Sequence, residues 1–179
     1  GLGDRRSIDD LRRNHTLRVA LDNRLQTRDP AYGSRDLAAL NLAADLRFDQ
    51  PTGQRSLSSI HAEFRLTPAR WMEFALYQNL DPHNGRLGEL NTALILNDGN
   101  ARSLRLATHY LRNDIQEYTV DYHHRFNEVW QGIVELHYDA RRRRFVEQTY
   151  GARQTIDNLW FVQYEVSFLE GARRESSFR

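Results

Sequence analysis

The chain has no cysteine, and all 25 of its basic residues are arginine. Without cysteine there is no disulfide framework and no thiolate metal site. The missing lysine has two readings: a GC-rich genome, or a need for arginine's fixed charge and planar donors. No apolar run reaches eighteen residues, so a transmembrane helix is excluded. The mean hydropathy of −0.73 also tells against helical spans. It does not tell against a β-barrel, because half of each barrel strand faces a polar lumen. Excess charge is missing too: 25 basic residues stand against 24 acidic ones. Nothing in that balance suggests the clustered excess of basic charge of a nucleic-acid binder. The start, Gly1 to Arg6, has no apolar h-region of a signal peptide, which an exported barrel needs, so the expectation is a mature piece or fragment.

What the sequence has is alternation. Tyr118, Val120, Tyr122, His124 and Phe126 fall on one side of a strand, and Thr119, Asp121, His123 and Arg125 on the other. Trp130, Gly132, Val134, Leu136 and Tyr138 oppose Gln131, Glu135, His137 and Asp139. Trp160, Val162, Tyr164, Val166 and Phe168 oppose Phe161, Gln163, Glu165 and Ser167. These segments run about ten residues, beyond the usual five or six of a soluble strand and long enough for a tilted strand to cross a bilayer.

The same rhythm covers the rest of the chain. Strands are expected from Thr16, Leu40, Ser59, Arg70, Leu90, Leu104 and Phe145. Their breaks fall at Asp29–Gly33, Gln50–Gly53, Thr67-Pro68-Ala69, Asp81–Gly85 and Asn97-Asp98-Gly99. A helix competes over Asp36 to Asp49, where alanine and leucine also recur at helical spacing. The expected fold is all-β: one domain over residues 1–179, an antiparallel up-and-down meander of about ten long strands, part of a transmembrane β-barrel. Tight breaks at Thr67, Asn127-Glu128 and Asp157-Asn158 alternate with longer or more charged ones at Pro51, Pro82 and Arg141 to Arg144, as short periplasmic turns alternate with outer loops. Trp71, Tyr110, Trp130, Tyr138 and Trp160 suit an interfacial girdle.

Several residues invite chemistry. His61, His109, His123 and His137 are expected on the polar side beside Glu63, Asp121, Glu135 and Asp139, as a hydrogen-bonded network rather than a metal site. Adjacent His123 and His124 point to opposite faces and cannot share a ligand site without distortion. Ser59 and His61 share a face, the minimum a barrel lipase would need. Arg141 to Arg144 is either a solvated hairpin loop or a grip for lipid phosphates.

The runs Tyr122–Trp130, Tyr138–Tyr150 and Asn158–Phe168, with Leu25–Asp36 earlier, resemble the C-terminal barrel of the LPS-assembly protein D (LptD) family of outer-membrane proteins. The resemblance implies a non-enzymatic translocon part that inserts lipopolysaccharide into the outer leaflet, in a barrel of about twenty-six strands. It also implies contact with outer-membrane lipids and with the plug lipoprotein of the translocon, and no cofactor. Glu175 to Arg179 then looks like the opening of one more strand. The family's cysteine pair near the C-terminus is absent here. Lumen-facing polar residues are expected at Arg65, Asp121, His123, Arg125 and Glu135. Other readings are a porin-like channel or barrel lipase, and a soluble β-sandwich binding module whose aromatic faces form its core.

Overall fold

A computed structural model describes residues 16–29, 33–48, 57–156, 160–170 and 174–178. Among these residues every element is a strand. In chain order they are β1 (Thr16–Asp29), β2 (Gly33–Arg47), β3 (Leu57–Ala69), β4 (Met72–Asp81), β5 (Arg86–Asp98), β6 (Arg102–Leu111), β7 (Ile115–Arg125), β8 (Trp130–Asp139), β9 (Arg144–Ile156), β10 (Trp160–Glu170) and β11 (Arg174–Phe178). The first ten are 10 to 15 residues long, and β11 has five. They form one sheet in sequence order, each antiparallel to its neighbour. This is the expected all-β meander, with the eleventh strand where the truncated one was expected. The helical alternative over Asp36 to Asp49 falls, because β2 pairs along its length with β1 and β3.

The alternation decides what each face carries. Across the strands one row reads Leu21, Leu42, Ala62, Gln78, Leu90 and Tyr110. The row beside it reads Asp22, Asn41, Glu63, Tyr77, Asn91, His109, Glu117 and Asp139. One face is apolar, the other polar. Strand contacts are confined to sequence neighbours, and no second layer covers either face among the described residues. A β-sandwich needs two stacked sheets, so that alternative is corrected. Among the described residues β1 and β11 each pair on one side only, and the sheet is not closed.

A single layer has little interior. Among the described residues the only buried hydrophobic side chains are Ala43, Ala62 and Ile133. Leu17, Val19, Leu21 and Leu25 of β1 stand 50 to 59% exposed, and Trp160 73%. Close packing occurs only locally. A ring edge of Phe126 covers Gly132, where an added Cβ would lie 3.0 Å from it. At Gly151 a Cβ would come within 3.1 Å of the Tyr164 carbonyl oxygen and of the Glu165 Cγ.

Two sequence expectations about turns change. Thr67-Pro68-Ala69 is not a turn: β3 runs through it, and the link to β4 is Arg70-Trp71. Pro68 has no N–H to give the ladder, so the pairing skips from Leu66 to Ala69. Arg35 on the adjacent β2 donates to the carbonyls of Thr67 and Pro68, the latter at 2.8 Å, and satisfies the interrupted stretch. The link of Trp71 also takes it off the polar side to which strict alternation assigns it, and it lines an open groove with Leu96, Leu104 and Tyr122 beside the polar Asn97, Asp98 and Arg102. The tight and the longer breaks do lie at opposite ends of the sheet, as antiparallel order requires. Their difference in length is small, however: Pro82–Gly85, Ala140–Arg143 and Phe126–Val129 all contain four residues. The breaks at Gln50–Gly53 and Asp157-Asn158, and the centre of Asp29–Gly33, lie outside the described residues.

Replacing Gly151 with valine is expected to destabilise the sheet by about 1–3 kcal/mol, the cost of forcing atoms into a filled site. Denaturant unfolding of the chain in micelles, followed by circular dichroism, checks it.

Candidate functional site

The polar face is organised by cross-strand register. Residues of β1 through β7 line one open hollow of about 850 Å³. Its polar wall includes Arg24, Asn41, Glu63, Arg65, Asn91 and His109, and its lining also includes the small side chains Ala39, Ala75, Ala93 and Ala107. Those alanines sit in one register row with Arg65. The row leaves space where neighbouring rows carry long side chains.

Two of the arginines inside are paired with carboxylates. The Arg65 Nε lies 3.3 Å from a Glu73 carboxylate oxygen, and the Arg105 Nη1 3.3 Å from Asp121. Asp121 and Glu135 face each other across β7 and β8. Like charges in that position repel, and Arg105 offsets one of them. Asn41 donates to Asp22 at 2.6 Å, and Asn91 to Glu89 at 2.7 Å. His109 Nδ1 meets the Asn91 amide oxygen, His123 Nδ1 lies 3.2 Å from the Gln131 amide nitrogen, and His137 Nε2 lies 3.1 Å from Glu117. His109 and His123 are therefore hydrogen-bonded across their strand pairs, whereas His137 Nε2 stands close to Glu117 without making a hydrogen bond. Among the described residues no three His, Asp or Glu side chains gather as a metal site.

A tighter cluster sits near the ends of β2 and β3. The Arg18 guanidinium grips Asp45 in a fork, with Nε 2.7 Å and Nη2 2.9 Å from the two carboxylate oxygens. Ser59 Oγ and His61 Nε2 each lie 3.2 Å from the second of those oxygens, and 3.0 Å from each other. His61 Nδ1 lies 3.2 Å from the Tyr77 hydroxyl, with the two rings stacked. A hydrolytic triad needs the serine on one ring nitrogen and the carboxylate on the other. Here both share Nε2, and Arg18 already holds the carboxylate. Ser59 and His61 do meet, but as members of a structural network.

Four of the five expected polar-face residues lie within the network or in line with it: Arg65 lines the hollow, Asp121 binds Arg105, His123 meets Gln131, and Glu135 stands opposite Asp121. Arg125 is at the rim, where its Nε donates to the Asn127 carbonyl at 3.2 Å. Arg105 and Asp45 were on the polar side of the alternation, but their partners become visible only with the register. On the opposite face all three tryptophans gather at one end of the sheet. Trp71 lies in the β3–β4 link, and Trp130 and Trp160 open β8 and β10. At the other end Tyr118 faces Tyr138, whose ring meets Phe145 edge-on with centroids 5.2 Å apart.

No family model matches this chain, and no curated protein matches it in sequence.

Changing Asp45 to alanine removes the acceptor shared by Arg18, Ser59 and His61. A loss of about 2–3 kcal/mol is expected from the missing charged hydrogen bonds. Ser59→Ala should cost about 1 kcal/mol or less, and unfolding midpoints in micelles distinguish the two.

Proposed function

We propose that this chain is a wall segment of an outer-membrane β-barrel that passes lipopolysaccharide to the outer leaflet. The observation that carries the membrane part is the bare apolar face: ten long strands with almost nothing buried on either side. In water such a face lacks the contacts that stabilise a globular domain. Against acyl chains it is already in its preferred surroundings. The aromatic residues support the same reading. From Trp130 to Tyr138 on β8 is eight residues, about 27 Å along a strand and about 21 Å once tilted by about 40°. That approaches the apolar band of about 25 Å between the aromatic girdles of such barrels. Among the described residues β1 and β11 each leave one edge unpaired, which fits a piece of a larger closed wall, because open edges are not tolerated in lipid.

Lipopolysaccharide as the cargo rests on the resemblance of residues 122–130, 138–150 and 158–168 to the LPS-assembly protein D family, and on the chemistry of the hollow. Amides, a tyrosine hydroxyl and arginines suit sugar hydroxyls and phosphates. In this reading the headgroup travels along the polar face while acyl chains leave between strands, and no residue acts as a catalyst. The other parts of such a translocon, the receiving periplasmic domain and the plug lipoprotein, would be partners of this wall.

Solution behaviour tests the membrane part. The chain is expected to aggregate in buffer and to gain β-sheet signal in micelles or beside the missing strands. A monomer that folds cooperatively in plain buffer would refute it. Neighbouring substitutions sharpen the test. Leu106→Arg on the apolar face should cost about 2–4 kcal/mol of insertion, whereas Ala107→Arg on the polar face should cost little. For the cargo, a photoreactive side chain at Ala93, but not at Leu94, should capture lipopolysaccharide added to the micelles. Equal capture at both would favour a simple channel.

A further inference from the structure

Arg141, Arg142 and Arg143 are exposed side by side in the link between β8 and β9, and Arg144 opens β9. The link is held in one shape. Buried Asp139 accepts the backbone N–H groups of Arg141 and Arg142, both at 2.9 Å, and Arg143 adopts a left-handed φ of 54°. Asp139 thus turns one carboxylate oxygen inward to the chain. Its other oxygen is 3.5 Å from Arg142 Nη1. Arg141 and Arg143 form no ion pair among the described residues. Three positive charges are therefore presented on a firm four-residue turn with at most one partly neutralised.

Their position relative to the apolar face gives them a use. Immediately below the link, Tyr138 and Phe145 form the edge-on pair of the aromatic band, and Tyr118 continues it onto β7. Aromatic side chains of this kind settle at the headgroup level of a bilayer. A step of two or three residues beyond them reaches the phosphate layer, where arginine forks bind phosphate oxygens in pairs. We infer that the Arg141–Arg143 turn is a docking surface for the phosphate groups of anionic membrane lipids, seated by the Tyr118–Tyr138–Phe145 band beneath it. This rests on the membrane reading above and adds an orientation: the β8–β9 end of the sheet faces the leaflet with exposed lipid phosphates. The occupant is a lipid headgroup at a surface rather than a free anion, because the turn has no enclosing wall and the aromatic band would set it at that depth.

Flotation of the full chain, diluted from denaturant onto vesicles, separates the two claims. Binding to phosphatidylcholine vesicles tests the apolar face alone, and its failure would remove the membrane reading itself. Adding phosphatidic acid is expected to tighten binding on the order of 10- to 100-fold, as three arginines near a charged surface allow, and high salt should erase the gain. The variant R141Q/R142Q/R143Q should lose most of that gain while binding phosphatidylcholine as before. The variant R102Q/R125Q, at the opposite end of the sheet, should keep it. The assignment is overturned if the triple variant retains the gain, if R102Q/R125Q loses it equally, or if glycerol phosphate in solution competes it away.

Discussion

The structure depends on a single ladder of main-chain hydrogen bonds that has no core behind it. In a globular domain the ladder and the buried apolar surface act together, so strands are held both sideways and from above. Among the described residues each strand touches only its neighbours in sequence. The stabilising surroundings of the apolar face must come from outside the sheet. This one constraint accounts for the long strands, for the separation of polar from apolar rows, and for the small residues where packing does occur.

The polar face solves a different problem. Its side chains are too many and too charged to lie unpaired on a wall, and they are tied across strands in short pairs: Arg18 with Asp45, Arg105 with Asp121, His137 with Glu117. Because each pair spans neighbouring strands, the network also fixes register, since a slip of one residue would carry every member to the apolar face. The row of alanines across β2, β4, β5 and β6 interrupts the network and opens the hollow.

Much of this was legible in the sequence. Period-two alternation separates the faces almost everywhere, because a strand leaves side chains no other option, and it puts Arg65, Asp121, His123 and Glu135 on one face. It fails where the backbone leaves the regular ladder. Pro68 reads as a turn because proline usually ends pairing, yet Arg35 supplies the donors that let the strand continue past it. Trp71 reads as polar-side because the turn that reorients it carries no glycine or proline signal. Ile133 is the reverse case: an apolar residue on the polar face, buried beside Gly151. The partners of Asp45 were out of reach, since nothing local to residue 45 reveals that Arg18, Ser59 and His61 will stand around it.

The most direct test of the account is a scan of single cysteines along β7, from Ile115 to Arg125, with the chain in bilayers. The chain has no cysteine of its own, so each label is unique. Fluorescence from labels at Val120 and Tyr122 should be quenched by brominated acyl chains, and labels at Thr119 and Asp121 should be quenched instead by a water-soluble agent. A period of two along the strand is the expected result. Uniform access to the aqueous quencher at all four positions would contradict the claim that one face of this sheet meets lipid.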